Sequence, residues 1–257
     1  VQTCALPICL PAAGWAGLVA AAVVLTTGAG DALTVEKTDA GVAVCRVADT
    51  RYTGNRVPNA RFKQTLTHWQ TRFSEKNETK YAGNHKLVSV AAAPAARGGR
   101  AVKLQSPPGV AGSQGVKAVT PLIAIASDGS YEFGADVFRT APACKIFLEG
   151  YRRDNKQTDA GNNRFPGFVR VYRSTIHVKT PKRKWGKARR VIKLGKVPAR
   201  YRPDYVLIKL YAYYPPGEAY FADVFLRPTT TETGKTYGAI RASDATEANT
   251  EVTDESD

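Results

Sequence analysis

The sequence contains no methionine and three histidines, and acidic residues are scarce in its central part. The histidines are His68, His85 and His177. Their spacing does not match zinc-ligand motifs, and no nucleophile–histidine motif accompanies them. A glycosidase would need two facing carboxylates, for which Glu132, Asp136 and Glu149 are the interior candidates. The sequence therefore predicts a protein that is not an enzyme and that needs no cofactor.

The first eight residues resemble the in-frame translation of a common sequencing adapter, which would account for the missing initiator methionine. We therefore exclude residues 1–8 from the fold analysis. The uncharged run Leu10–Thr27 follows, and small residues come after it. We interpret residues 9–32 as a truncated signal peptide, with an uncleaved membrane anchor as the alternative. The expected location is secreted or in the cell envelope, with no membrane association after cleavage.

Cysteine is also scarce, with four residues in the chain. Cys4 and Cys9 lie in the adapter or at its junction, which leaves Cys45 and Cys144. An even pair in an exported protein permits one disulfide, so we expect a Cys45–Cys144 bond that fastens the N-terminal segment. The alternative is two buried free thiols.

Positive charge is concentrated in the middle of the chain. The formal net charge is +15, but residues 51–228 hold 33 Lys/Arg against 11 Asp/Glu, and residues 229–257 carry −5. A basic domain favours anionic partners such as acidic polysaccharide, nucleic acid or an anionic envelope. The alternative is a surface that Lys and Arg keep soluble.

Short runs rich in Val, Ile, Phe and Tyr alternate with Gly, Pro, Asn and Asp clusters, and no helical period is sustained. The candidate strands are Leu87–Val90, Ala101–Leu104, Val116–Ile125, Tyr131–Arg139, Lys145–Arg153, Phe168–Lys179, Arg189–Leu194, Tyr205–Tyr214 and Ala219–Leu226. The pattern predicts an all-β jelly-roll β-sandwich of two antiparallel sheets with about nine strands. We assign residues 33–56 to a lead-in segment with one strand near Val42–Val47, residues 57–228 to the sandwich, and residues 229–257 to a disordered acidic tail.

Four motifs resemble carbohydrate-binding modules of the family 4/9 type, which have a galactose-binding-domain-like sandwich. They are Asn59–Phe62 with Leu66 and Trp69, Arg100–Leu104, Tyr131–Val137 and Gly217–Leu226. Their order and spacing match over about residues 58–228. The resemblance implies a β-sandwich that binds carbohydrate without catalysis. It also implies a structural calcium, but Lys63 and Ala222 stand where family members carry acidic ligands, which argues against that ion here.

Two sets of residues are candidates for ligand binding. Strand alternation places Tyr151, Tyr172, Tyr211 and Tyr213 with Arg170 and Lys209 on non-core faces, where rings and hydrogen-bonding groups would form a sugar groove. The alternative is that these tyrosines pack beneath loops. The run Lys179–Arg202 holds eleven Lys/Arg and no acid, with Arg183, Lys184 and Trp185 as the expected contacts. Its alternative is an edge strand that charge protects from aggregation.

These features together predict binding of an anionic extracellular or cell-wall polysaccharide through an aromatic groove and a basic strand or loop. The expected partner is polysaccharide, with no specific nucleic acid. The first alternative is an envelope or matrix protein without sugar specificity. The second is a fragment of a polysaccharide-degrading enzyme. The sequence does not specify the glycan or the oligomeric state.

Overall fold

The computed structural model describes residues 23–27, 31–38, 41–47, 54–63, 65–72, 82–154 and 165–229. Residues 1–8, most of the predicted signal peptide and all of the predicted acidic tail except Thr229 lie outside this range. The strands are β1 (Val23–Thr27), β2 (Asp31–Lys37), β3 (Ala43–Val47), β4 (Val88–Ala92), β5 (Arg100–Ser106), β6 (Val116–Val119), β7 (Leu122–Ala124), β8 (Ser130–Arg139), β9 (Ala143–Arg153), β10 (Phe168–His177), β11 (Gly186–Lys193), β12 (Tyr205–Tyr213) and β13 (Gly217–Pro228). One α-helical turn (Pro108–Ala111) and three 3₁₀ turns (Asn84–Leu87, Leu194–Lys196 and Ala199–Tyr201) complete the described elements.

These strands form two sheets. Sheet A has the order β1-β2-β3-β7-β12-β9-β10, with β6 also paired to β12, and sheet B has the order β11-β8-β13-β5-β4. The pairings are antiparallel apart from the parallel pair β3–β7. The predicted all-β, two-sheet sandwich is therefore confirmed, and its nine predicted strands correspond to β4–β13.

The predicted strand Val116–Ile125 is divided in two because Pro121 has no backbone N–H to donate to a ladder. The structure places β6 before Thr120 and Pro121, and β7 after them. Thr120 keeps the junction attached to β12, since its Oγ1 accepts the N–H of Ile208 at 2.9 Å. Both halves therefore pair with the same strand.

The core lies between the sheets. On β12, Val206, Ile208, Leu210 and Ala212 are fully buried, as the two-residue alternation predicts. Sheet B contributes a matching inner set from β8 that includes Tyr131, whose hydroxyl accepts the Ala126 N–H at 2.8 Å. Burial of one large apolar side chain stabilises a fold by roughly 1.5–3 kcal/mol, so this face dominates the stability of the sandwich.

The strands described before residue 57 belong to sheet A. We expected one strand within residues 33–56, but β3 lies there together with most of β2, which begins at Asp31, and β3 pairs in parallel with β7. Strand β1 uses Val23–Thr27 of the uncharged run and pairs with β2. Asn55 joins the segment to β13, because its Nδ2 donates to Val224 O at 2.8 Å and its Oδ1 accepts the Leu226 N–H at 3.0 Å.

The predicted Cys45–Cys144 disulfide is corrected by the structure, in which both cysteines are buried free thiols. Register places Cys45 opposite Ile123, in the same row as Val206 and Gly150. Cys144 lies three strands away and six residues along β9, roughly 24 Å from Cys45 for strands about 4.8 Å apart. A disulfide requires Cα atoms within about 7 Å.

Candidate functional site

Two tyrosine rings stack on the outer face of sheet A. Tyr211 and Tyr213 occupy alternate positions on β12, with ring centroids 5.3 Å apart and an interplanar angle of 17°. Phe147 of the neighbouring strand β9 lies 6.1 Å from the Tyr211 ring. Both tyrosines keep part of their surface in solvent. We call Tyr211, Tyr213 and Phe147 the tyrosine platform.

The loop before β6 holds the platform in place. The Tyr211 hydroxyl donates to Gln114 O at 2.9 Å. Gly115 lies directly beneath the ring, where an added Cβ would be 2.7 Å from a ring carbon. Its φ of +63° also favours glycine. The ring is thus fixed at one edge by a hydrogen bond and along its plane by backbone.

Cations surround the platform. Lys145 Nζ lies 4.7 Å from the Tyr213 ring centroid, and Arg173 Cζ lies 4.3 Å from the centroid of Phe147. Lys209 Nζ is 5.5 Å from the same Phe147 centroid. Contacts of this kind orient long basic side chains over rings and leave their charged ends near the outer face of sheet A.

One buried carboxylate organises these cations. Glu149, whose side chain is 3% exposed, contacts Lys209 Nζ at 2.5 Å, Arg170 at 3.6 Å and Arg173 at 4.0 Å. The Tyr151 hydroxyl donates to the same carboxylate at 3.2 Å. Burial opposes ionisation of Glu149, but Lys209 and the two arginines outweigh that effect and hold its pKa below the ordinary value.

The charge at this face does not balance. Among the described residues, Arg170, Arg173 and Lys209 contact the single carboxylate of Glu149, and Lys145 beside Tyr213 adds a fourth positive charge. Arg170 and Arg173 have side chains that are 46% and 49% exposed. The face therefore presents excess positive charge to solvent, next to aromatic surface.

Two of the predicted groove tyrosines do not belong to the platform. Tyr151 is 3% exposed and packs edge-on against Phe165 at 5.3 Å, in a second apolar cluster outside sheet A. For this residue the alternative of packing beneath a loop is correct. Tyr172 was expected on the non-core face of β10 but points toward the core. A β-bulge between Arg170 and Tyr172 shifts the register and reverses its direction.

The predicted basic-run contacts lie on the other sheet. Trp185 precedes β11, the edge strand of sheet B, and its Nε1 donates to Pro94 O at 2.7 Å. Arg97 lies over its ring at 4.7 Å, so the indole fastens the β4–β5 connection. Arg183 and Lys184 are exposed beside it. The two sets of candidate residues predicted from the sequence thus lie on different sheets.

Phe147 and Arg173 are site residues that the predicted set omits. Alternation along β9 places Phe147 on the same face as Lys145 and Glu149, so the pattern contained the information to find it. Arg173 joins that face only because of the bulge in β10, which the sequence does not reveal.

One edge of each sheet meets the other along a basic border. Strand β10 is one edge strand of sheet A, and β11 is one edge strand of sheet B. Arg190 of β11 reaches Ser174 of β10, with a nitrogen–oxygen distance of 3.5 Å. The exposed cations of this border are Lys187, Arg189, Arg190 and Lys193 of β11 and Arg173 of β10. We call these five residues the basic edge, which adjoins the platform through Arg173.

A concave region lies farther along the outer face of sheet A. It has a volume of about 310 Å³, and its lining includes Val42, Gln70, Thr120 and Phe165. The Thr120 N–H donates to Ile208 O at 3.0 Å, three residues before Tyr211 on β12. Pockets of this size enclose small ligands or one unit of a larger one.

The candidate glycosidase carboxylates do not face one another. Glu132 and Asp136 lie on the outer face of sheet B, whereas Glu149 lies outside sheet A. Glu132 pairs with Arg227 at 2.8 Å, and Asp136 pairs with Arg97 at 2.6 Å. Four residues of strand separate Glu132 from Asp136 by about 13 Å, beyond the distance of 5–9.5 Å that glycosidase pairs use.

Within the described residues, no three His, Cys, Asp or Glu side chains come together as metal ligands. The same part of the chain includes no helix with the length and apolarity needed to cross a bilayer.

No protein-family model matches the chain. No curated protein matches it either. Solved structures do show similarity. One is the enzymatically active domain of tailspike protein 4 from bacteriophage CBA120, with 12% identity and a TM-score of 0.44, covering 68% of this chain and 21% of that one. The chain thus spans about a fifth of the tailspike chain.

Two others are carbohydrate-binding modules. TmCBM61, solved with β-1,4-galactotriose, is 16% identical with a TM-score of 0.40, over 68% of this chain and 99% of that chain. The CBM22-1 xylan-binding domain from Paenibacillus barcinonensis is 14% identical with a TM-score of 0.36, over 67% and 94% of the two chains. At these TM-scores, the assignment of a β-sandwich rests on the strand pairing described above.

Proposed function

We propose that the protein is a non-catalytic carbohydrate-binding protein whose ligand is an acidic polysaccharide outside the cell. The observation that carries this proposal is the tyrosine platform, where two partly exposed tyrosine rings lie among four cations and one buried carboxylate. Aromatic rings pack against the apolar C–H faces of sugars, and the cations supply donors for hydroxyl and carboxylate oxygens.

The charge surplus supports an acidic glycan over a neutral one. With a neutral sugar chain, Arg170 and Arg173 would share Glu149 as their one counter-ion among the described residues. A uronate or sulfate group would supply the missing negative charge, and guanidinium groups can bind such oxygens in bidentate fashion. The basic edge continues the positive surface beyond Arg173. The uncharged segment Leu10–Thr27 supports export to a compartment where such polymers occur.

Substitution of the platform tests the proposal. Tyr213→Ala removes one ring of the stack, so we expect binding to an acidic glycan such as polygalacturonate to weaken about tenfold, which is about 1.4 kcal/mol. Affinity electrophoresis and titration calorimetry would measure it against a panel of acidic and neutral polysaccharides. Tyr201→Ala is the matched control, because Tyr201 is 45% exposed and lies beyond the opposite end of β12.

Three results would contradict the proposal. Failure of the wild-type protein to bind any polysaccharide would reject carbohydrate binding. If Tyr213→Ala binds all polyanions as wild type does, and if salt abolishes binding of every polyanion to the same extent, the protein is a structural envelope protein without sugar specificity. Preferential binding of nucleic acid would favour a different class of polyanion.

A further inference from the structure

Strand β13 ends beside the basic edge. The Thr229 N–H donates to Ser130 O at 2.9 Å, and Ser130 of β8 is also the register partner of Lys193 on β11. Thr229 therefore lies two strand spacings from Lys193, roughly 10 Å away. The chain leaves the sandwich next to one end of the basic edge.

The residues that follow are strongly acidic. Residues 230–257 contain seven Asp/Glu and two Lys/Arg, for a net charge of −5. The acidic residues are Glu232, Asp244, Glu247, Glu251, Asp254, Glu255 and Asp257. Twenty-eight residues can span at most about 90 Å. Strand β11 has eight residues and is about 26 Å long, so a segment of this length can reach every position of the basic edge.

The basic edge lacks enough acidic partners of its own among the described residues. Arg189 has a side chain that is 65% exposed and lies 3.8 Å from Glu132. The same carboxylate already pairs with Arg227 at 2.8 Å. Positive charge therefore remains along β11, at a place that a nearby polyanion can occupy.

We propose that residues 230–257 bind the basic edge of the same molecule and compete there with the acidic glycan. The competition rests on the proposed function, whereas the intramolecular contact does not. Tethering gives the acidic segment an effective concentration in the millimolar range, so weak contacts between exposed charges suffice. The glycan must displace the segment from β11 before it can extend from the tyrosine platform across Arg173.

The expected size of the effect follows from occupancy. If the segment covers the basic edge for four-fifths of the time, the apparent dissociation constant of the glycan rises about fivefold. Salt shortens the screening length from about 8 Å at 0.15 M to about 3 Å at 1 M, so the effect must disappear at high salt.

Carbodiimide cross-linking tests the contact without any glycan. This reagent joins lysine amines to carboxylates, so the full chain at low salt should yield intramolecular links from Lys187 or Lys193 to residues 230–257. Lys86 is the control amine, because it is exposed and precedes β4 at the opposite edge of sheet B. Links to Lys193 that are no more frequent than links to Lys86, or that persist at 1 M salt, would overturn the proposal.

A full-chain variant tests the competition. Its seven acidic residues in 230–257 are replaced by the corresponding amides, and the control variant carries seven Thr/Ser→Ala changes in the same segment. The amide variant should bind polygalacturonate about fivefold more tightly than wild type at low salt, and the control should match wild type. Equal affinities of all three proteins would overturn the competition while leaving carbohydrate binding intact. Binding by none of them would reject the proposed function and leave cross-linking to decide the contact.

Discussion

Neutralisation of Glu149 tests the charge arrangement beneath the tyrosine platform. In Glu149→Gln, Lys209 loses its 2.5 Å partner while its side chain is 13% exposed. Loss of one partner from a buried pair costs roughly 3–5 kcal/mol. The lower end applies because Arg170 and Arg173 are about half exposed and remain hydrated. We expect the free energy of unfolding to fall by about 3 kcal/mol, which lowers Tm by roughly 6–12 °C.

The pH dependence of this loss has a definite sign. The folded-state pKa of Glu149 lies below its ordinary value, so the ion pairs stabilise the fold above the unfolded-state pKa of about 4.3 and are lost as pH falls through the lower folded value. Urea unfolding at pH 7, 5 and 3 should therefore show a large difference between wild type and Glu149→Gln at pH 7 and 5. At pH 3 the difference should be smaller.

Two further variants make this measurement decisive. Glu218→Gln removes a carboxylate that lies 2.5 Å from Lys103 but is 34% exposed, so it should cost at most about 1 kcal/mol. The double variant Glu149→Gln, Lys209→Met should recover much of the loss, because no buried ammonium is left unpaired. A difference below 1 kcal/mol for Glu149→Gln at pH 7, or one that is equal at pH 3, would refute the reasoning.

Three other predictions follow from local geometry. Burial raises the pKa of Cys45 and Cys144 to about 12, so both thiols should resist a thiol reagent at pH 8 until the protein is unfolded. If these two residues still fail to react after unfolding without reductant, they are not free thiols. In Gly134→Ala the new Cβ would lie 2.1 Å from Ala188 O, so hydrogen exchange in β11 should rise and stability should fall by about 1–3 kcal/mol; wild-type stability would contradict this. Trp185→Phe removes the indole hydrogen bond and should lower the free energy of unfolding by about 1 kcal/mol without weakening glycan binding. Weaker glycan binding by this variant would show that Trp185 contacts the ligand.

The sequence by itself determined which residues of one strand share a face. A side-chain period of two is local, and it correctly separates the buried Val206, Ile208 and Leu210 from Tyr211 and Tyr213 on β12. The turn residues between apolar runs determined the all-β class and located the strands after residue 87, apart from the division of Val116–Ile125 into β6 and β7. These features depend on near neighbours in the chain, so they can be recognised without tertiary structure.

Tertiary structure alone decided which strands are neighbours and in what register. Tyr151 is covered by Phe165, and Tyr172 is turned inward by a bulge, although each lies in a correctly predicted strand. Trp185 lies on the sheet opposite Tyr213, and Cys45 is three strands from Cys144. Strand order and register depend on pairing between distant segments, and one inserted residue reverses every side chain beyond it, so no local pattern contains them.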